Sequence, residues 1–178
     1  MKIGITGAQS VGKTTLLNAL RSEEKFKNYE VCDEVTRWVN KLGLQINEYG
    51  SDNTQEIILL KHVYNLTMFD TMITDRTLVD GYVYTKYLYD KGKVGSHVLK
   101  KSEHAMKKLG KQYDHIFYIR PEFDLVPDGV RSENKQFQKQ ICDIFEQTLA
   151  KYQDNLNVVD VTGSVRERVN QIMETVNG

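Results

Sequence analysis

The 178-residue chain has only two prolines and two cysteines, no net charge, and no apolar run approaching the roughly 18 residues of a membrane span. So few prolines leave helices and strands uninterrupted. Cys32 and Cys142 lie far apart and form no metal-spaced pair. They read as small apolar residues of a reducing compartment, with a disulfide as the lesser alternative. The 24 basic residues balance the 24 acidic ones, which excludes a global attraction to nucleic acid or membrane; any such attraction must come from a local patch. The first residues read as a strand, not a signal peptide, so a cytoplasmic location is expected.

What is present is alternation. Hydrophobic residues make up 40% of the chain, enough for the core of one α/β domain spanning 1–178. Apolar strands are expected at Lys2 to Thr6, Tyr29 to Cys32, Met72 to Asp75, His115 to Ile119 and Asn157 to Val161. Helical spacing fills the intervals: Lys13 to Ser22, a helix through Trp38, Val39 and Leu42 ended by Gly43, and a long helix N-capped within Gly50-Ser51-Asp52-Asn53 and containing Ile57, Ile58, Leu60, Val63, Tyr64 and Phe69. Further helices are expected from Leu78 to about Lys91, from about Ser96 to Leu109, around Phe137 to Leu149, and around Val165 to Val176. A mostly parallel five-stranded sheet, covered on both faces as an α/β/α sandwich, follows from this order.

Gly7-Ala8-Gln9-Ser10-Val11-Gly12-Lys13-Thr14 has the pattern G-x-x-x-x-G-K-T directly after the first strand and before the first helix. That placement points to a phosphate-binding loop: its glycines allow the backbone to wrap phosphate oxygens, and the helix N-terminus favours anions. ATP is the expected nucleotide. Lys13 would reach the β/γ-phosphates and the Thr14 hydroxyl would ligate Mg²⁺. Thr15 is expected to pack or cap, at the edge of the same nucleotide site. If the third strand lies beside the first, Asp75 sits where a carboxylate can hold a Mg²⁺ water; capping of the next helix is the alternative.

The acceptor side should lie at the other strand ends, where ligands of open α/β sheets bind. Asp33 and Glu34 follow the second strand, with Arg37 three residues past Glu34 on one helical face. An alcohol acceptor would call for one of these acids as a base; a phosphate acceptor would instead make Arg37 and Arg76 its clamp. Asp80 belongs to the same candidate substrate set. Arg120 and Arg131 flank a loop from Arg120 to about Asn134 that holds both prolines and Gly129. Arg131 is expected to close, as part of a lid, onto the transferring phosphoryl group.

Together these residues resemble the small AAA-labelled P-loop kinases related to the ribosylnicotinamide kinase domain of bacterial NAD-salvage regulators, over nearly the whole chain. The stretches carrying the likeness are Gly7 to Thr14, Glu34 with Arg37, and Asp128-Gly129-Val130-Arg131 followed by the helix with Phe137. Thr162-Gly163-Ser164 with Arg166 and Arg168 is similar to the family's loop after the last strand; the resemblance implies that Gly163 and Ser164 border the adenine. Asp75-Arg76…Asp80…Tyr84 looks like a sub-branch common in bacterial and phage genomes, and its Asp-Arg pair is similar to that of thymidylate and deoxynucleoside kinases. The resemblance implies γ-phosphate transfer from ATP to a nucleoside- or nucleotide-type acceptor. A phage-type kinase acting on a hydroxymethylated base or hydroxyl end in DNA, and a catalytically idle ATP-binding regulatory module, are the alternatives.

A GTPase does not fit the letters. Its base-reading N/T-K-x-D motif has only Asn134-Lys135-Gln136-Phe137 as a candidate, without the aspartate. One local patch stands out in the neutral chain. His97, Lys100, Lys101, His104, Lys107, Lys108 and Lys111 fall on one helical face. A solvated face is the simpler reading and a polynucleotide backbone the sharper one. Tyr82, Tyr84, Tyr87 and Tyr89, with Trp38, could stack a base but suit core and rim better.

Overall fold

A computed structural model describes residues 1–121 and 134–178. Five strands alternate with helices: β1 (Lys2–Thr6), α1 (Lys13–Arg21), β2 (Glu30–Cys32), α2 (Val35–Lys41), α3 (Asp52–Met68), β3 (Met72–Asp75), α4 (Leu78–Asp90), α5 (Ser96–Leu109), β4 (His115–Ile119), α6 (Lys135–Tyr152), β5 (Val158–Val161) and α7 (Val165–Asn177). The sheet order is β2-β3-β1-β4-β5, and every described pairing is parallel. The expectation of a mostly parallel sheet is therefore exceeded. Short 3-10 turns at Glu24–Phe26, Asn47–Tyr49, Gly110–Gln112 and Gln153–Asn155 have no periodic signature in the sequence.

The apolar pattern explains the layers. Ile3 and Ile5 of β1 and Leu16, Leu17 and Leu20 of α1 are completely buried, each contributing about 1.5–3 kcal/mol of transfer free energy. α1 pairs with α7, while α3, α4, α5 and α6 pack on one another. α3 starts where Ser51 accepts a hydrogen bond from the Thr54 amide, and Gly43 ends the stretch after α2 with φ +80°. Among the described residues, no helix is long and apolar enough to cross a membrane. Both cysteines are free, Cys32 buried and Cys142 partly so.

Two connections position the site. β3 lies beside β1, with Ile5 in register with Asp75, so the two strands end together at the phosphate loop. Directly after β3, Arg76 takes a left-handed φ of +79° and the chain turns into α4. That helix is fastened by a capping box: Asp80 Oδ2 accepts from the Thr77 amide at 2.8 Å, and the Thr77 hydroxyl accepts from the Val79 amide at 3.1 Å.

Candidate active site

Between β1 and α1 the chain must reverse tightly, and Gly7, Ser10 and Gly12 do so with φ of +143°, +61° and +90°. A Cβ on Gly7 would stand 2.5 Å from the Ile119 carbonyl oxygen, so only glycine fits there. α1 has no side-chain cap and no acidic residue in its first turn; its N–H groups are left for an anion. Ala8, Gln9 and Val11 are buried in the loop wall, Ser10 and Thr14 half-buried. Thr15 is exposed and α1 has no side-chain cap, so it neither packs nor caps the helix as expected.

Lys13 is almost completely buried and donates to the carbonyls of Gly7 and Ala8 at 2.9 and 2.5 Å. Burial, with the positive charge of Arg76 adding to it, pushes its pKa down to about 8 against the pull of Asp75, Asp80 and Glu34. Asp75 is fully buried beside it. Its Oδ2 accepts from the Thr14 hydroxyl at 2.6 Å, while its buried Oδ1 has no hydrogen-bond partner among the described residues. Burial and the nearby Glu34 push the Asp75 carboxyl above the usual carboxylate range, with Lys13 opposing.

A hydroxyl, an orphaned carboxylate oxygen and a phosphate loop form the kind of all-oxygen donor set that Mg²⁺ uses, since it keeps waters and draws its remaining ligands from substrate phosphates. Thr14 and Asp75 would hold it. Among the described residues, no group of three or more His, Cys, Asp or Glu could bind a metal ion by itself, so the nucleotide would have to complete the site.

A second buried charge cluster adjoins the first. Arg76 donates from Nε to Glu34 Oε1 at 2.9 Å, its other nitrogens lie 2.8 Å from Glu34 Oε1 and 3.4 Å from Asp80 Oδ1, and all three side chains are nearly inaccessible. Thr36 donates to Glu34 Oε1 at 2.8 Å and Arg37 to Oε2 at 3.1 Å. Burial disfavours the Arg76 charge, yet Tyr84, Glu34, Asp80 and Asp75 outweigh it and hold the guanidinium protonated. Asp33, by contrast, is exposed. Asp80, expected to touch substrate, has its Oδ2 engaged by the α4 cap and by the Thr6 hydroxyl at 2.5 Å; only Oδ1 faces Arg76. The Thr77-x-x-Asp80 spacing was the signal for that cap.

Beside this cluster a cavity is lined by Gln55, Ile58 and His62 of α3, Gly81 and Tyr84 of α4, and Arg76 and Asp80. The cavity has room for about one water molecule. The Tyr84 ring lies under the Arg76 guanidinium, 5.0 Å away, and its hydroxyl donates to Gln9 Oε1 at 3.0 Å. Gln138 of α6 donates to the Gln9 carbonyl at 2.8 Å. The phosphate loop is thus bonded to both helices. Tyr82 and Tyr87 are buried as well, whereas Tyr89 and Trp38 are exposed.

The remaining expected residues fall as follows. Ser164 caps α7 through the Glu167 amide, with Gly163 before it at φ +88°. Arg168 is buried and donates to the Val11 carbonyl at 2.9 Å, behind the loop. Arg120 is paired with Glu146 and Asp160. Arg131 and most of the expected lid, at 122–133, lie outside the described residues. On α5 the lysines at 100, 101, 107 and 108 are exposed, over a buried face of Val98, Ser102 and Met106; Lys101 pairs with Glu56 at 2.6 Å.

The family described as an AAA domain matches residues 2–168. In three dimensions the chain is similar to deoxyadenosine kinase from M. mycoides with products dCMP and a flexible dCDP bound, at 19% identity and a TM-score of 0.71, covering 99% of this chain and 98% of that one. The same kinase with bound dATP gives 18% identity and a TM-score of 0.68 over the full length of both chains. The NadR protein in complex with NR gives 16% identity and a TM-score of 0.73, covering 99% of this chain and 51% of that one. At such identities the likeness is one of fold. No curated protein matches the chain in sequence.

Proposed function

The chain belongs to this AAA-domain family, and from that footing we propose that it is an ATP-dependent kinase moving the γ-phosphate to a nucleoside- or nucleotide-type acceptor. The observation that carries the reading is the adjacency of two buried charge clusters. Lys13 and Asp75 sit at the phosphate loop, and beside them Arg76 and Asp80 line a cavity, with Glu34 paired to Arg76 behind it. A module that only sensed ATP would need the first cluster and not the second. The similarity in fold to deoxyadenosine kinase supports the same reading.

In the proposed reaction, Lys13 leaves the Gly7 and Ala8 carbonyls for the phosphate oxygens, where its charge offsets what builds up on the γ-phosphoryl group. Mg²⁺, held by Thr14 and through water by Asp75, would supply charge neutralisation at the same phosphates. The acceptor oxygen forms its bond to the γ-phosphorus as the bond to the β,γ-bridging oxygen breaks. ADP departs, and the hydroxyl proton passes to the Glu34 carboxylate. Glu34 suits this role better than Asp33, being buried with its oxygens oriented by Thr36, Arg37 and Arg76, two of which, Thr36 and Arg76, line the cavity. Arg76 and Arg37 orient Glu34, or meet a phosphate on the acceptor where one is present.

The test is ADP release measured against nucleosides, nucleotides, nicotinamide riboside, and modified and unmodified DNA. Release above the ATPase background with a nucleoside or nucleotide supports the reading. Release with DNA alone favours the phage-type alternative, and none with any acceptor favours the regulatory module.

A further inference from the structure

His62 is a polar residue in the middle of the long helix α3, at i+7 from Gln55 and i+4 from Ile58, so all three share the face that lines the cavity. It is 2% exposed, and its Nε2 has no hydrogen-bond partner among the described residues. A buried nitrogen without a partner is costly, and such groups persist where a ligand completes them. The proposed reaction gives His62 no part in proton or phosphate transfer.

We propose that His62 reads the acceptor, its Nε2 hydrogen-bonding the edge of an uncharged nucleobase. The proposal rests on the kinase reading above and adds to it the chemistry of the acceptor's base.

Three further observations support this. Burial drives the imidazole pKa down to about 4, with Arg76 reinforcing and Asp80 opposing, so at neutral pH the ring is an uncharged hydrogen-bonding group. The position facing it on α4 is Gly81, where a Cβ would stand 3.6 Å from His62 Cδ2, in ordinary contact; with no side chain there, no α4 side chain caps the ring at that point. The charged groups of the cavity, Arg76 and Asp80, are already paired with each other, and Arg76 with Glu34 as well. Among the described residues the cavity's one carboxylate, Asp80, is paired with Arg76, which leaves none to favour a base with a fixed positive charge. Ile58 and the Tyr84 ring supply apolar surface on which a flat heterocycle can pack, α3 and α4 having to part to admit it because the cavity as it stands holds about one water molecule.

The test uses the whole protein and its variants His62→Phe, His62→Gln and His62→Asn. Calorimetric binding and ADP release are measured with deoxyadenosine, deoxycytidine, deoxyguanosine, thymidine and nicotinamide riboside. His62→Phe should weaken binding of the preferred nucleoside and raise its KM roughly ten- to hundredfold, with little change in the KM for ATP. The glutamine amide reaches the position of Nε2 and should restore most of that loss, whereas asparagine, reaching only as far as Nδ1, should not. Equal affinity in parent and His62→Phe overturns the proposal, as does nicotinamide riboside binding better than every uncharged nucleoside, or no nucleoside binding at all. The kinase reading fails separately: His62-dependent nucleoside binding without ADP release sinks the transfer and leaves the base reading standing.

Discussion

Lys13 lies buried against the carbonyls of its own loop with its pKa near 8, so the protein should take up a proton when ATP binds. In the unfolded chain a lysine titrates near 10.4, and the difference amounts to about 3 kcal/mol against the charged form. Four phosphate charges reverse that environment and restore the ammonium. With a pKa of about 8, Lys13 of the free protein is about 10% neutral at pH 7, 50% at pH 8 and 90% at pH 9; uptake on binding should follow these fractions of a proton. The sign for stability is the opposite of a salt-bridged lysine. Because its folded pKa is depressed, the unfolded chain binds the extra proton between about pH 8 and 10, and this group's contribution to the stability of the ligand-free protein rises across that window. Titration calorimetry of ATP in two buffers of different ionisation enthalpy at each pH reads the uptake directly, with Lys13→Met as the control. A binding enthalpy independent of buffer at pH 8 and 9 would refute the reasoning, and so would an uptake that persists in Lys13→Met.

Asp75→Asn should raise the Mg²⁺ concentration for half-maximal activity roughly 10- to 100-fold; an unchanged Mg²⁺ titration would reduce Asp75 to a hydrogen-bond partner of Thr14. Glu34→Gln should lower kcat by roughly 10²–10⁴ with a smaller effect on ATP affinity. Asp33→Asn should change little, and equal losses in the two variants would contradict the choice of Glu34. The exposed lysines of α5 belong to a protein of zero net charge, so no measurable DNA affinity is expected at physiological salt. Anisotropy titrations showing salt-sensitive binding, lost when Lys100, Lys101, Lys107 and Lys108 are all changed to Glu, would reverse that.

The parts of the site that the sequence revealed are those made by contiguous residues. Gly7 to Thr14 is a local motif, and the strand-loop-helix order around it fixes its place. Asp75 was legible because β3 could be set beside β1 from the order of elements. Glu34 and Arg37 were legible as an i, i+3 pair. What escaped was set by tertiary packing. His62 interrupts no periodicity on α3, and nothing in a single sequence reports that its Nε2 is orphaned. The left-handed turn at Arg76 falls on a non-glycine residue, where local propensity argues against it; it is tolerated where Glu34 and Asp80 hold the guanidinium. The bond from Tyr84 to Gln9 spans 75 residues, and Tyr84 looked like core or rim until the loop and helix were brought together.

The bond from Arg168 to the Val11 carbonyl spans 157 residues, which has a consequence for synthesis. At about 5–20 residues per second, the phosphate loop leaves the ribosome roughly 8–30 s before the arginine that braces it. During that interval the loop has its glycines and its lysine but no α7 behind it. Nucleotide affinity should therefore mature only after α7 has docked. Chains stalled before Arg168 has emerged would carry a complete motif with an unfinished site, and ATP-analogue capture of arrested nascent chains would register the step.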